Sequence, residues 1–331
     1  MKALVLNKFG DPPALEYTDV QVAKPARDEV LIKVAVAPIN PSDLILLGGR
    51  NPFPRQLPLI PGFEGSGTVI ESGGGAIADQ LVTRNVACRA ISDGNGTWAE
   101  YVVTKAERCI PLEPAVSLQQ GAMMLVNPLT AWAFMHRVRE TGHKAAIQTA
   151  AASALGQMII KLATKSNLPL INVVRSQKQA DDLRRLGAEH ILNSSKDDFP
   201  GQLRQLAQSL NATVAFDAVA GDLCNVILAA LPNGSELWSY GGLSNEPCKI
   251  DPMVLIYQNK AVKGFWGPPI VYALNKPDFD AAISYIQKNL DKIFHTTVRA
   301  VYQPTEHKQA LADYMSTMGS GKVLFSWHEQ N

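Results

Sequence analysis

Cysteine is scarce. The 331 residues hold four, Cys88, Cys109, Cys224 and Cys248, and no two of them form a C-x-x-C pair. That spacing excludes a zinc lobe and a disulfide framework. A chain this long needs no covalent staples, so reduced thiols in a reducing, cytoplasmic compartment are expected. Long apolar runs are also missing. Met1 to Leu6 is interrupted by Asn7 and Lys8, too soon for the apolar region of a secretion signal. The stretch 122–135 is broken by Asn127, Pro128 and Thr130, and falls short of the ~18–20 apolar residues of a membrane span. Neither charge sign dominates: Lys+Arg is 31 and Asp+Glu is 30, a formal net charge of +1. Nucleic-acid and membrane-surface partners usually leave a basic excess, so neither is expected. The six histidines, His136, His143, His190, His295, His307 and His328, show no ligand-like spacing. No tyrosine stands between Tyr17 and Tyr101.

What is present fits a globular chain of two domains. Hydrophobic residues make up 46% and charged residues 18%. Residues 1–125 read as a β-rich unit, a compact and partly closed barrel. Short strand-like runs at 29–36, 65–70 and 98–103 are broken by prolines and by Gly73-Gly74-Gly75. From Lys144 onward the texture changes. Strands are predicted at 145–149, 170–174, 213–219 and 235–240. Between them Leu155, Met158, Ile159 and Leu162 recur at helical spacing, and a helix at 178–186 is stopped by Gly187. Such alternation predicts α/β architecture, a doubly wound parallel sheet with helices on both faces. Its expected span is 126–267. Residues 268–331, with a helix at 279–289 and a closing strand at 322–327, complete the β-rich domain.

The sharpest motif follows the predicted strand at 145–149. It reads Ala151-Ala152-Ser153-Ala154-Leu155-Gly156 and opens an amphipathic helix. A dinucleotide-binding turn needs a small residue first for the bend and third for close approach to the pyrophosphate. It needs Gly sixth for helix–strand packing. Ala151 and Ser153 fill the first two places imperfectly and Gly156 fills the last. The helix-start amides would then hold the anion. Arg175 follows the next strand, roughly 20 residues on, where a ribose-recognising residue belongs. Asp or Glu there would accept from a 2′-hydroxyl, whereas an Arg fork suits a 2′-phosphate. The expected cofactor is NADPH.

With these residues in place the sequence resembles the medium-chain dehydrogenase/reductase superfamily over essentially its whole length. It is most similar to the zinc-independent enoyl-thioester reductases, with the quinone oxidoreductases close behind. The likeness is carried by Asn40-Pro41-Ser42-Asp43, Asn127-Pro128-Leu129-Thr130, Ala151–Gly156 and Ile171-Asn172-Val173-Val174-Arg175. Leu186-Gly187-Ala188-Glu189-His190, Tyr240-Gly241-Gly242-Leu243-Ser244 and Gly264-Phe265-Trp266 extend it. The resemblance implies a Rossmann domain and a GroES-like domain, and a homodimer. It sets Asn40 and Thr130 beside the nicotinamide, with Gly241 and Gly242 letting the Tyr240 loop approach the cofactor. The backbone at Phe265 and Trp266 would contact the carboxamide. Lys322 would either pair with a phosphate or cap the last strand.

Zinc-dependent members carry Cys where this chain has Asn40 and G-H-E where it has Gly62-Phe63-Glu64. Zinc needs three Cys, His or carboxylate ligands, so no metal is expected. Enoyl-thioester reductases place a Tyr acid where this chain has Asn51, and an amide cannot donate a proton as a phenol can. Tyr240 and Tyr257 could serve instead, although tyrosine in a strand or turn is commonly core. The expected function is NADPH-dependent hydride transfer to a small-molecule quinone, α,β-unsaturated carbonyl or enoyl-thioester. The alternative is a catalytically weak NADPH-binding protein of the crystallin type on the same scaffold.

Overall fold

A computed structural model describes residues 1–51, 56–89, 95–316 and 321–327. The chain forms two units, Met1–Val126 with Ser284–Asn331, and Asn127–Ile283. The first part holds β1 (Lys2–Lys8), β2 (Ala14–Asp19), β3 (Glu29–Pro38), β4 (Glu64–Ser72), β5 (Asn85–Arg89), β6 (Tyr101–Lys105) and β7 (Cys109–Pro111). Next come β8 (Ala146–Gln148), β9 (Leu170–Val174), β10 (His190–Asn193), β11 (Val214–Asp217), β12 (Glu236–Ser239) and β13 (Ala261–Gly264). Finally β14 (Val298–Tyr302) and β15 (Lys322–Ser326) return to the first unit. Among the described residues no helix is long and apolar enough to cross a membrane.

The first unit is built on a largely antiparallel sheet, ordered β14-β15-β3-β4-β5-β7, with β6 also paired to β3 and a separate β1–β2 hairpin. Strand β3 is its spine. It pairs with β4, β6 and β15, so the last strand of the chain closes against one of the first. Five residues of β15 are all buried, as expected for a strand inserted between two others. The strand expected at 98–103 begins only at Tyr101. Trp98 instead turns into the core, fully buried, with its indole N–H donating to the Pro38 carbonyl and its ring edge-on to Phe325 at 5.1 Å. A buried indole needs an acceptor, and this one fixes where the strand starts.

The second unit carries a six-stranded, wholly parallel sheet in the order β10-β9-β8-β11-β12-β13. That is the doubly wound pattern the alternation predicts, with a reversal of direction beside β8. β9 has the expected ends and is buried on both faces. The helix expected at 178–186 is Gln177–Arg185, capped by the Ser176 hydroxyl accepting from the Gln179 N–H. Phe134 lies on Phe265 at 3.9 Å and on Phe216 at 4.4 Å, joining the helix Asn127–Thr141 to the sheet. The α/β class expected from the sequence is the class observed.

One glycine shows how tightly β3 and β4 meet. A Cβ on Gly67 would stand 2.0 Å from the Lys33 carbonyl oxygen. In the helix Phe199–Ser209, a Cβ on Gly201 meets nothing within 4 Å. Gly67→Ala should therefore cost about 1–3 kcal/mol through overpacking. Gly201→Ala should gain about 0.5–1 kcal/mol through helix propensity. Urea titration of both variants checks this opposition of sign.

Candidate functional site

The second unit gathers its candidate residues at the carboxyl ends of its parallel strands, where open α/β sheets bind ligands. Beyond β8 the chain turns through Ala150, in the left-handed region at φ 49°, and reaches Ser153. The sharp bend thus falls one residue before Ala151. Ser153 caps the helix Ala154–Lys165 by accepting from the Gly156 N–H at 3.1 Å. A Cβ on Gly156 would lie 2.4 Å from the Ala151 carbonyl oxygen, so only glycine lets the helix start sit this close to the turn. Beneath it the buried Gln148 donates to Asn172 at 2.7 Å and to the Gly156 carbonyl at 3.1 Å. Strand, neighbouring strand and helix are thereby fixed together. The Ala154 and Leu155 amides belong to the first turn, where a helix has no internal acceptor to offer. They and the positive end of the helix dipole suit a phosphate.

Arg175 stands at the end of β9, exposed. Its backbone N–H donates to Gln179 Oε1 at 3.1 Å. On the helix that follows, Lys178 pairs with Asp182, Arg184 with Asp181, and Arg185 with Asp182. The Arg175 guanidinium has no such partner among the described residues, and it stands directly after β9, the strand beside β8, where a charge can meet a ribose substituent.

Further along the same edge, Tyr240 follows β12 and its N–H donates to the Asp217 carbonyl at 2.9 Å. Its hydroxyl is buried without a protein partner, and burial holds the phenol above its usual range. An orphaned buried hydroxyl fits a site that expects a ligand. A Cβ on Gly241 would press to 2.9 Å from the Ala218 carbonyl, while one on Gly242 would meet nothing. Phe265 follows β13 with its N–H on the Ser239 carbonyl, and Trp266 is half exposed. Gly267 approaches so closely that a Cβ would lie 2.7 Å from Thr130 Cα, which brings Thr130 and the 265–267 turn together.

Sequence reasoning missed the clamp that holds this edge. The buried Asp217, last in β11, accepts from the Thr149 hydroxyl at 2.8 Å, the Val219 N–H at 3.1 Å, the Ala220 N–H at 2.9 Å and the Cys224 thiol at 3.1 Å. Thr149 in turn accepts from the Ala218 N–H. A lone Asp after an apolar strand carries no signal of this in the sequence.

The first unit holds a second constellation. Asn40 is fully buried just before the helix Pro41–Leu47. Its amide N–H donates to Glu64 Oε1 at 3.0 Å, and its amide oxygen accepts a short hydrogen bond from Lys322 Nζ. Lys322 also donates to the Ile39 carbonyl at 3.3 Å, so its ammonium is spent inside this unit. Glu64 Oε2 accepts from the Leu125 and Val126 N–H groups, both at 2.9 Å. Asp43 accepts from the Asn40 N–H at 2.7 Å and the Phe63 N–H at 3.1 Å. Two carboxyls thus share one ammonium out of water. Burial drives Asp43 up to about 7 and Glu64 upward, and drives Lys322 down, against the attraction among them. Asn51 lies beyond the same helix, half-buried, and residues 52–55 after it fall outside the described residues, as do Ser320 and His328.

The raised Asp43 sets a pH dependence. Its folded value lies above its unfolded value, so the folded state holds the extra proton. The stability it contributes is complete below about pH 4 and is lost as pH rises toward 7. Asp43→Asn should flatten the slope of stability between pH 5 and 8, measured by urea unfolding at several pH values. An unchanged slope would contradict the assignment.

Two family models match the chain: an alcohol dehydrogenase GroES-like domain over residues 26–114 and a zinc-binding dehydrogenase domain over residues 154–288. The chain is 30% identical over 276 residues to the mitochondrial enoyl-[acyl-carrier-protein] reductase of Homo sapiens, covering 80% of this chain and 72% of the relative. Among solved structures it is similar to a candidate NADPH:quinone reductase from Mesorhizobium loti. That pair shares 35% identity over 98% of both chains, with a TM-score of 0.89. A candidate NADPH:quinone reductase from Bacillus thuringiensis shares 25% identity over 99% of both chains, with a TM-score of 0.84. The expectation raised by the short motifs therefore holds across the whole chain, which belongs to the medium-chain dehydrogenase/reductase superfamily of oxidoreductases.

Proposed function

We propose that the chain is an NADPH-dependent reductase that works without zinc and delivers hydride to an electron-poor small molecule. The acceptor is a quinone, or an α,β-unsaturated carbonyl or enoyl-thioester, with quinones preferred. The observation that carries this reading is Arg175, an exposed guanidinium without a partner among the described residues. It follows β9, next to the strand whose turn closes on Gly156. The names of the relatives, an enoyl-[acyl-carrier-protein] reductase and NADPH:quinone reductases, agree with it.

When bound, NADPH supplies the hydride, and that chemistry is the cofactor's own. In this reading the amides of Ala154 and Leu155, with Ser153 and Gly156 shaping the turn, hold the pyrophosphate. Arg175 holds the 2′-phosphate. Tyr240, Gly241, Gly242, Phe265, Trp266 and Thr130 shape the nicotinamide end. Asn40 acts as a positioning group, because one end of its amide is held by Lys322 and the other by Glu64. Zinc independence is supported by the same contacts. Asn40 and Phe63 replace two ligands, and both Glu64 oxygens already accept hydrogen bonds. A homodimer completes the proposal. The sheet of the second unit ends at β13, an edge that a second copy could extend.

The preference for quinones follows from Asn51. Reduction of an enoyl-thioester places a proton on carbon, where a positioned acid gives ~10²–10⁴-fold. A reduced quinone takes its protons on oxygen, from water. Asn51→Tyr should raise enoyl-thioester turnover by at least ~10-fold and leave quinone turnover within a factor of about two. Steady-state assays with crotonyl-thioester and a 1,4-quinone decide it.

Cofactor choice is tested separately. One charge-assisted contact is worth ~1.5–3 kcal/mol, so NADPH should bind at least ~10-fold more tightly than NADH. Arg175→Ala should bring the two dissociation constants nearly together. Equal titration curves for the two cofactors in the unaltered protein would overturn the assignment.

A further inference from the structure

A pair of thiols lies behind the edge just described. Cys224 sits in the helix Leu223–Ala230, fully buried, and Cys248 lies in the segment that follows the Tyr240–Gly242 turn, half-buried. Their sulfurs are 3.2 Å apart, and Cys224 Sγ is 3.1 Å from Asp217 Oδ2. The backbone holds them there from both sides. The Lys249 N–H donates to the Gly221 carbonyl at 3.2 Å, and the Asp251 N–H donates to Asn225 Oδ1 at 3.0 Å. Lys249 adds ion pairs to Asp222 and Glu246. The segment carrying Cys248 is therefore pinned to the helix start that carries Cys224, and the sulfurs need little movement to bond.

We infer that Cys224 and Cys248 form an oxidation site at which a peroxide converts two thiols into one reversible disulfide. The two residues have unequal parts. Cys248 is the less buried of the two. Its thiolate attacks a peroxide oxygen, the O–O bond breaks, and the sulfur becomes a sulfenic acid while the other oxygen leaves as hydroxide, which takes up the proton the thiol gave to solvent and becomes water. Cys224 then attacks the Cys248 sulfur. Its S–H proton passes by way of Asp217 Oδ2 to the departing hydroxide, which leaves as a second water. The sum is two thiols and one hydrogen peroxide giving one disulfide and two waters. The sulfurs are oxidised together by two electrons and the peroxide is reduced by two.

The unequal parts follow from the surroundings. Burial holds the Cys224 thiol well above its usual range, which keeps it protonated until a sulfenic acid is beside it. Its neighbour Asp217 is fixed by three further donors, so the acceptor for its proton cannot swing away. The other two cysteines make an internal comparison. Cys88 and Cys109 face each other across β5 and β7, yet both are buried and burial pushes both thiols up, Cys109 to about 12. Neither can begin the sequence.

Closing the bridge changes what the 240–250 segment can do. It ties the segment covalently to the helix Leu223–Ala230, and it removes the S–H that Asp217 accepts. This chemistry stands independently of the function proposed above.

Treating the full-length protein with hydrogen peroxide tests it. The free thiols should fall from four to two, the mass should fall by two hydrogens, and peptide mapping should join the Cys224 and Cys248 peptides. Dithiothreitol should reverse all three. In Cys224→Ser, Cys248 should stop at the sulfenic acid and be trapped by dimedone, whereas Cys248→Ser should take no dimedone label. The oxidised protein should be cut by trypsin after Lys249 at least ~3-fold more slowly than the reduced protein. A bridge between Cys88 and Cys109, overoxidation of Cys248 without a bridge, or no loss of thiol would overturn the site. Equal cleavage rates would overturn the restraint.

Discussion

One buried ammonium organises the first unit. Lys322, on the last strand, reaches Asn40 and Ile39 near the start of the chain. Through Asn40 it is joined to Glu64, and through Glu64 to the amides of Leu125 and Val126, where this unit ends. Asp43 adds a second carboxyl that fixes the Asn40 and Phe63 backbone. Four segments far apart in sequence are thus held by one set of charges. Charges out of water are expensive, and removing one member of such a set strands the rest at a cost of about 3–5 kcal/mol. The arrangement persists because every member is partnered, and its return is geometric. Asn40 can be turned only one way, with its oxygen toward the ammonium and its nitrogen toward the carboxylate.

The second unit uses a different device for the same end. Its edge residues arrive from the ends of β8, β9, β11, β12 and β13, and they are aligned because the strands are parallel. Asp217 sits in the middle of that row and draws in the backbone after its own strand, the Thr149 hydroxyl from beyond β8, and the Cys224 thiol. Gln148 does the equivalent work one layer below. Glycine lets backbones almost touch at Gly156 against Ala151 and at Gly241 against Ala218.

What was legible in the sequence was local. β9 shows itself because Leu170, Ile171, Val173 and Val174 make a short apolar run broken only by Asn172, and Arg175 is placed simply by following it. The helix start at Ser153 is written in the small residues before Gly156. Trp98 misled, because β propensity extends the strand to 98 while the indole's need for an acceptor pulls it into the core. The position of Lys322 could not be read at all. A lysine before an apolar strand looks like a surface cap, and its true partner Asn40 lies 282 residues away. The same is true of Asp217 and of the Cys224–Cys248 pair, whose neighbours are set by the packing of turns rather than by any spacing along the chain.

The central claim, that the parallel edge of the second unit is built for NADPH, is tested most directly by a crystal structure of the protein grown with NADPH. The account predicts the pyrophosphate on the Ala154 and Leu155 amides, the 2′-phosphate on the Arg175 guanidinium, and the nicotinamide end against the Tyr240–Gly242 turn. A cofactor bound with Arg175 turned away from the 2′-phosphate, or with its pyrophosphate off the Ser153–Gly156 turn, would contradict it.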